Sequence, residues 1–389
     1  MSNRECAAGS EAYLALKNAY DDRAAAVKQI KDAGKKVIWT FSGNVPDEVI
    51  YAAGMIPIRG WGAPAPWKEA DKYLELSFGP VWRALFETVM SGAYRDLMDG
   101  IVFSTNYTML GKLHDYMGWI LAREPERNLP PITMIDYEVM ERDYLFFDRN
   151  CKDTEQFAEK MEEWSGRKIG EDDLRAAIAL YNEYRQALRE FLALRKGPEA
   201  RVTGAEALTV IGATLVMEKE RCIPLLRQLT QEAAGWPKVD GVRIFYTGSQ
   251  QENTELYSLI EACGGNVVGE DHDWGDRVAA EDVKNTLRFP LDDITQRYWN
   301  LLPNSEKSHI KTRVKLVPEW IRDRGAEAFL VYMYYNDEAF FWDFPSQKRV
   351  LDPAGIPSHL IAKQRIPLNE PEILADELKA FIASVRKEG

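Results

Sequence analysis

Cysteine and histidine are scarce in this chain: four of each stand in 389 residues. The cysteines, Cys6, Cys151, Cys222 and Cys263, lie far apart with no CxxC and no close histidine, a spacing that offers neither a metal signature nor a disulfide framework. Cys222 in MEKERCIPLL and Cys263 in LIEACGG fall on helical faces, where a small buried thiol is the plain interpretation and a metal ligand the alternative. His114, His272, His309 and His359 are equally scattered, which argues against a zinc enzyme. Glycine patterns are missing too. Neither GxGxxG after a strand nor GxxxxGK[ST] occurs, so the chain is not expected to hydrolyse ATP itself. No GxSxG elbow supports a serine nucleophile.

Positive charge and long apolar runs are also lacking. A formal charge of -12 and a pI near 5.1 exclude a broad nucleic-acid face or an anionic membrane surface, while leaving room for local basic pockets. No uncharged run approaches the roughly 18 residues of a membrane helix. The first thirty residues mix charges into their apolar positions, so they read as neither a signal peptide nor an anchor, and the expected location is cytoplasmic. With 46% hydrophobic and 28% charged residues, the composition is that of a compact globular protein without a long disordered tail.

What is present is regular alternation. Apolar residues recur at helical spacing from residue 10 to 33 (Tyr13, Leu16, Tyr20, Val27, Ile30), and Gly34 offers a stop before the β-branched and aromatic strand Val37–Phe41. In SGNVPDEVIYAAG, Asn44 or a neighbour caps a helix with Pro46 in its first turn and Gly54 at its end. MIPIRGWG, GIVF from Gly100 and PITMIDYE supply further strands, with a helix from about Thr108. This pattern predicts an α/β fold with a parallel sheet covered on both faces. From Asp153 to Lys196 only long amphipathic helices fit, and 206–233 is helical as well. After WPKVDG a second alternating region follows: VRIFYTGS, the helix ENTELYSLIEACGG, NVVGED, a polar helical segment to about Arg324, AFLVYMYY, a helix near Gln347, SHLIA and a closing helix. The length suits two lobes better than one core. The expected organisation is an N-terminal helix over 1–34, a first α/β lobe over 35–150, a helical connection over 151–235 and a second α/β lobe over 236–389.

Ligands of open parallel sheets bind beyond the carboxyl ends of the strands. The loops after Phe41, Phe103, Tyr246 and Tyr335 read Ser42-Gly43-Asn44, Ser104-Thr105-Asn106-Tyr107, Thr247-Gly248-Ser249 and Asn336-Asp337-Glu338. The first three precede expected helix N-termini, whose free N–H groups suit a phosphate. Each alone is more simply an ordinary cap; it is the convergence of four on two lobes that points to a cleft. The candidate binding set is Ser42, Gly43, Asn44, Arg59, Asn106, Tyr107, Gly248 and Ser249. Arg59 in PIRGWG suits either a phosphate or an acidic neighbour. His114 in KLHDY is a candidate proton donor, or else a packed or surface histidine. No residue is assigned to a metal.

With these residues in view, the chain resembles the large paired subunits of 2-hydroxyacyl-CoA dehydratases and ATP-dependent benzoyl-CoA reductases. The resemblance runs from about Lys35 to Glu372, through VPDEVIYAAGMIPIR, DGIVFSTNYTMLGKLHDY, the helices from Trp164 to Lys196, TGSQQENTELYSLIEACGGNVVGEDHDWGDR and WDFPSQKRVLDPAGIP. It implies two flavodoxin-like (Rossmann-like) lobes joined by a helical segment, a heterodimer with a homologous subunit, and a [4Fe-4S] cluster between the lobes. A separate ATP-hydrolysing iron-sulfur activator would feed electrons to the cluster, and the candidate binding set would face an acyl-CoA. The resemblance further implies cluster cysteines after the first strand, before MLGKLHD, and before WDFP. Here those positions are Ser42, Asn106 and a residue within Tyr334 to Asp337, none of them cysteine. Hydroxyl and amide groups substitute poorly for three thiolates. The expectation is therefore a chain that binds no cofactor, beside a cluster-bearing partner, contributing scaffold and part of the thioester cleft. The aromatic stretch Tyr332-Met333-Tyr334-Tyr335 with Phe340-Phe341-Trp342 suits a flat ring or simply core packing, and it leans the expectation toward the benzoyl-CoA reductase branch. A 2-hydroxyacyl-CoA dehydratase subunit and a non-enzymatic thioester-binding or assembly subunit are the alternatives.

Overall fold

The computed structural model describes residues 3–137, 144–301 and 307–388. Among them, β1 (Val37–Thr40), β2 (Ile56–Arg59), β3 (Gly100–Ser104) and β4 (Ile132–Ile135) form one sheet in the order β2-β1-β3-β4. A second sheet, β6-β5-β7-β8, is built from β5 (Val242–Gly248), β6 (Gly265–Asp271), β7 (Ala328–Tyr334) and β8 (Ser358–Gln364). Every pairing is parallel. The two sheets share one connectivity, with β5 in the place of β1, and the order is that of flavodoxin-like lobes. β1, β2, β3 and β7 are buried along their whole length, as strands with helices on both faces must be. Their β-branched and aromatic residues suit that setting.

Parallel neighbours require crossovers. The helices Asp47–Ala52, Pro80–Met90 and Thr108–Arg123 supply them in the first lobe, and Glu255–Ala262, Ile310–Arg324 and Glu338–Leu351 in the second. Between the lobes run the helices Tyr144–Ser165, Glu171–Leu192, Gly204–Leu215 and Lys219–Ala233. One hydrophobic core passes from Trp39 and Phe103 through Phe191 and Ile211 to Tyr257 and Leu330. The lobes thus share an interior.

Several local expectations are corrected. The apolar stripe from Tyr13 to Ile30 is carried by two helices, Glu11–Asp21 and Arg23–Asp32, because the Asp22 side chain accepts from the Ala25 N–H and starts a new helix. Asn44 does not cap the helix after β1; Pro46 is its N-cap, without a side-chain hydrogen bond, and Asp47 opens it. The polar segment before Arg324 contains two helices, Pro290–Trp299 and Ile310–Arg324. The first packs against the first lobe and the connecting helices, where Ile294 and Tyr298 meet Val49, Phe157 and Ile178. Residues 302–306 of that segment, and Glu138 at the end of the expected PITMIDYE strand, lie outside the described residues.

Glu48 ties these parts together. Its fully buried carboxylate accepts from Arg185 of the connecting helix and from the Tyr298 hydroxyl at 2.8 Å. Burial alone would raise this carboxyl, but Arg185 and Arg297 more than reverse that and hold it below its ordinary range.

Candidate functional site

Connections leave β1 and β3 toward opposite edges of the first sheet, which makes the crevice beyond their carboxyl ends the natural ligand position. Ser42 and Asn106 meet there. The Ser42 hydroxyl donates to Asn106 Oδ1 at 2.7 Å and accepts the Asn44 N–H at 2.9 Å, while the Asn106 amide reaches Asn44 Oδ1 at 3.3 Å. All three side chains are buried, so the β1 and β3 loops are tied together by polar groups.

Asp273, in the loop after β6, carries this knot across to the second lobe. Its carboxylate accepts the Gly43 N–H at 2.9 Å and faces the Tyr107 hydroxyl at 3.5 Å, and its backbone carbonyl accepts from Arg59 at 3.1 Å. A side chain at Gly43 would press on that carboxylate, with a Cβ 3.3 Å from Asp273 Cγ. Arg59 thus reaches an acidic residue only through a main-chain carbonyl and not as an ion pair. The neighbouring His272 is buried and neutral: its Nδ1 accepts the Trp274 N–H at 3.2 Å, and Nε2 lies 3.1 Å from the Tyr257 hydroxyl. Burial, reinforced by Arg277, brings its pKa down to about 3.

A small cavity of about 30 Å³ adjoins the knot, lined by Gly43, Asn44, Asp47 and Arg59 from the first lobe, Arg185 and Lys219 from the connection, and Asp273, Arg277 and Arg297 from the second lobe. Burial lowers the Lys219 ammonium and the Arg297 guanidinium from their ordinary values, and it raises the Asp47 carboxyl against the partial opposition of Arg59 and Lys219. On the other side lies an open cavity of about 380 Å³, lined by Gly62, Ala63, Val81, Ala84, Glu252 and Tyr334 among others. It sits between the carboxyl ends of both sheets and is mainly apolar. Glu252 joins its two sides, accepting from the Gly62 N–H and from the Gln250 amide, each at 2.7 Å.

The structure brings Ser42, Gly43, Asn44, Arg59, Asn106 and Tyr107 together. Gly248 and Ser249 belong to a different contact. The Ser249 hydroxyl donates to Asp337 and accepts the Tyr334 N–H at 2.9 Å, joining the β5 and β7 loops. Gly248, at φ +129°, would put a Cβ 2.0 Å from the Tyr332 carbonyl oxygen, so only glycine fits. The expected helix N-terminus beside Ser249 is displaced: that helix starts at Glu255. His114 is half-buried on the helix Thr108–Arg123, its ring 6.0 Å from that of Phe103 and its Nδ1 3.0 Å from Asp115. It lines neither cavity. In the aromatic stretch, Tyr332 and Tyr334 are core, whereas Phe341 and Trp342 are exposed. Sequence inspection missed Asp273, Lys219 and Arg297; the acidic run EDHDWGDR at the carboxyl end of β6 was the available signal for the first.

Fold and cleft together define a two-lobed α/β protein whose polar loops, from both sheets, face one crevice. The family model described as 2-hydroxyglutaryl-CoA dehydratase, D-component, matches residues 43–383, and the chain belongs to that family. It is 25% identical over 360 residues to the (R)-phenyllactyl-CoA dehydratase beta subunit of Clostridium sporogenes, covering 91% of this chain and 93% of that one. It is 23% identical over 334 residues to the beta subunit of the (R)-2-hydroxyglutaryl-CoA dehydratase of Acidaminococcus fermentans, covering 84% and 86%. With one of the benzoyl-CoA reductase subunits of Thauera aromatica it shares 28% over 278 residues, covering 69% and 70%. Among the described residues no helix is long and apolar enough to cross a membrane, and no group of three or more histidine, cysteine or acidic side chains is placed to hold a metal ion.

Proposed function

We propose that the chain is a subunit of an ATP-dependent complex of the benzoyl-CoA reductase type, which reductively dearomatises an aromatic acyl-CoA. The observation that carries this is the open cavity between the two sheets, whose Val81, Ala84 and Tyr334 offer an apolar wall to a flat acyl group. The knot at Ser42, Asn44 and Asn106 supports a role for these residues, with Gly43, Arg59 and Tyr107, in shaping the thioester cleft. Gly248 and Ser249 hold the opposite rim, and His114 takes no part in the chemistry.

The chain is further proposed to hold no iron-sulfur cluster. In two of the three loops where the resemblance puts thiolates, the residues present are hydroxyl and amide groups satisfied by one another, and such groups do not fit a cluster. The chain's own thiols lie elsewhere, with Cys222 buried in the helix Lys219–Ala233 and Cys263 at the end of Glu255–Ala262. A homologous partner subunit would carry the cluster, and a separate ATP-hydrolysing activator would reduce it. This chain supplies scaffold and one wall of the cleft.

A second reading, a 2-hydroxyacyl-CoA dehydratase subunit, is favoured by alignment length: the phenyllactyl-CoA relative covers 91% of the chain, the benzoyl-CoA reductase relative 69%. Reconstituting the chain with its partner, activator, ATP and a low-potential reductant separates the readings. A cyclic dienoyl-CoA from benzoyl-CoA supports the reductase. An enoyl-CoA from a 2-hydroxyacyl-CoA supports the dehydratase, and turnover unchanged when the chain is left out leaves only a binding or assembly role.

A further inference from the structure

The small cavity is lined by five cations, Arg59, Arg185, Lys219, Arg277 and Arg297, against two carboxylates, Asp47 and Asp273. Arg185 is paired with Glu48, and Arg277 with Asp271 at 2.7 Å. Arg59, Lys219 and Arg297 have no carboxylate within ion-pair distance among the described residues. Arg59 donates to the Asp273 carbonyl at 3.1 Å, Lys219 to the Thr214 carbonyl at 2.6 Å, and Arg297 to the Glu281 carbonyl at 2.7 Å. All three are at most 6% exposed. The Lys219 ammonium also lies 4.9 Å from the Tyr184 ring centre, and the Arg297 guanidinium 4.6 Å from that of Tyr298, contacts that stabilise a cation without cancelling its charge. Burying charge without a counterion is costly.

An orphaned acceptor faces the same space. Asp47 Oδ1 is closed off from solvent and has no hydrogen-bond partner. Burial raises its carboxyl from the ordinary value, with Arg59 and Lys219 opposing, so the repulsion a neighbouring anion would meet from it is weakened. The cavity volume of about 30 Å³ holds a couple of waters by the usual measure, roughly the displacement of one tetrahedral oxyanion and far less than a pantetheine arm.

We infer that this cavity is a binding site for a small oxyanion of the phosphate class, held by Arg59, Lys219 and Arg297. The site is independent of the reductase reading. Its ligand is either free phosphate or the 3′-phosphate of a CoA ester.

The test uses the purified full-length chain and inorganic phosphate, with chloride at matched ionic strength as the control. Phosphate should raise the unfolding midpoint saturably where chloride does not, and Arg297→Gln and Lys219→Met should each weaken phosphate binding at least tenfold. Should Arg297→Gln fail to fold, Lys219→Met and the phosphate-against-chloride comparison on the unaltered chain still decide. Competition by CoA but not by dephospho-CoA assigns the site to the 3′-phosphate; competition by neither assigns it to the free ion. A phosphate effect no larger than that of chloride, or undiminished in both folded variants, overturns the inference.

Discussion

His272 gives the structure a measurable acid sensitivity. Its Nδ1 accepts a backbone N–H, so protonation there would set two donors against each other, and the cations Arg277 and Arg195 oppose the added charge. The unfolded ring takes up its proton near its ordinary value of 6.5, the folded one only at about 3. Between these values the unfolded state holds one more proton, so stability falls as pH falls. Each pH step of one costs roughly 1.4 kcal/mol, about 4–5 kcal/mol over the whole window. Going from about pH 7 to about pH 5.5, this residue alone should remove about 1 kcal/mol. His272→Gln retains an acceptor for Trp274 and a donor for Tyr257 while losing the titration. Urea unfolding at both pH values should therefore show the wild type losing about 1 kcal/mol more than the variant on acidification, a difference that cancels the carboxylates common to both. Parallel pH dependences would refute the reasoning, since they would mean that the folded ring titrates as the unfolded one does.

Glu48→Ala should cost about 3–5 kcal/mol in urea unfolding, because it strands the buried Arg185; adding Arg185→Met should recover part of that, and additive losses would contradict the pairing. Gly248→Ala should destabilise by about 3 kcal/mol or more, since its Cβ meets the Tyr332 carbonyl at a positive φ; a melting temperature equal to wild type would show that the β5 loop relaxes freely. Val81→Trp narrows the open cavity, so it should lower acyl-CoA turnover by the complex about tenfold or more while assembly by gel filtration is unchanged. Unaltered kinetics would place the acyl group elsewhere.

Much of the fold was legible because its strands announce themselves. VIWT, GIVFS and AFLVYMY are short, β-branched or aromatic runs between polar loops, and a parallel sheet buried on both faces needs such runs. The crevice at Ser42 and Asn106 followed from the same topology. What stayed hidden depends on long-range contacts. Glu48 meets Tyr298 across 250 positions, and Arg185, Lys219 and Arg297 converge from three helices that look ordinary in sequence. Asp273 lies in the loop after β6, which ends a strand as the four candidate loops do but reads in sequence as part of an acidic run. Asn44 does not cap the helix because its side-chain oxygen accepts from the Asn106 amide and the chain runs on to Pro46 before turning helical.

The claim that matters most is that this chain is the cluster-free member of its complex. Anaerobic reconstitution with iron and sulfide, run in parallel on this chain and on its partner subunit and followed by desalting and iron analysis, tests it most directly. The account predicts that the partner retains about four irons with broad visible absorption, as cysteine-ligated clusters do, while this chain retains essentially none. About four irons surviving on this chain alone, with the same absorption, would contradict it.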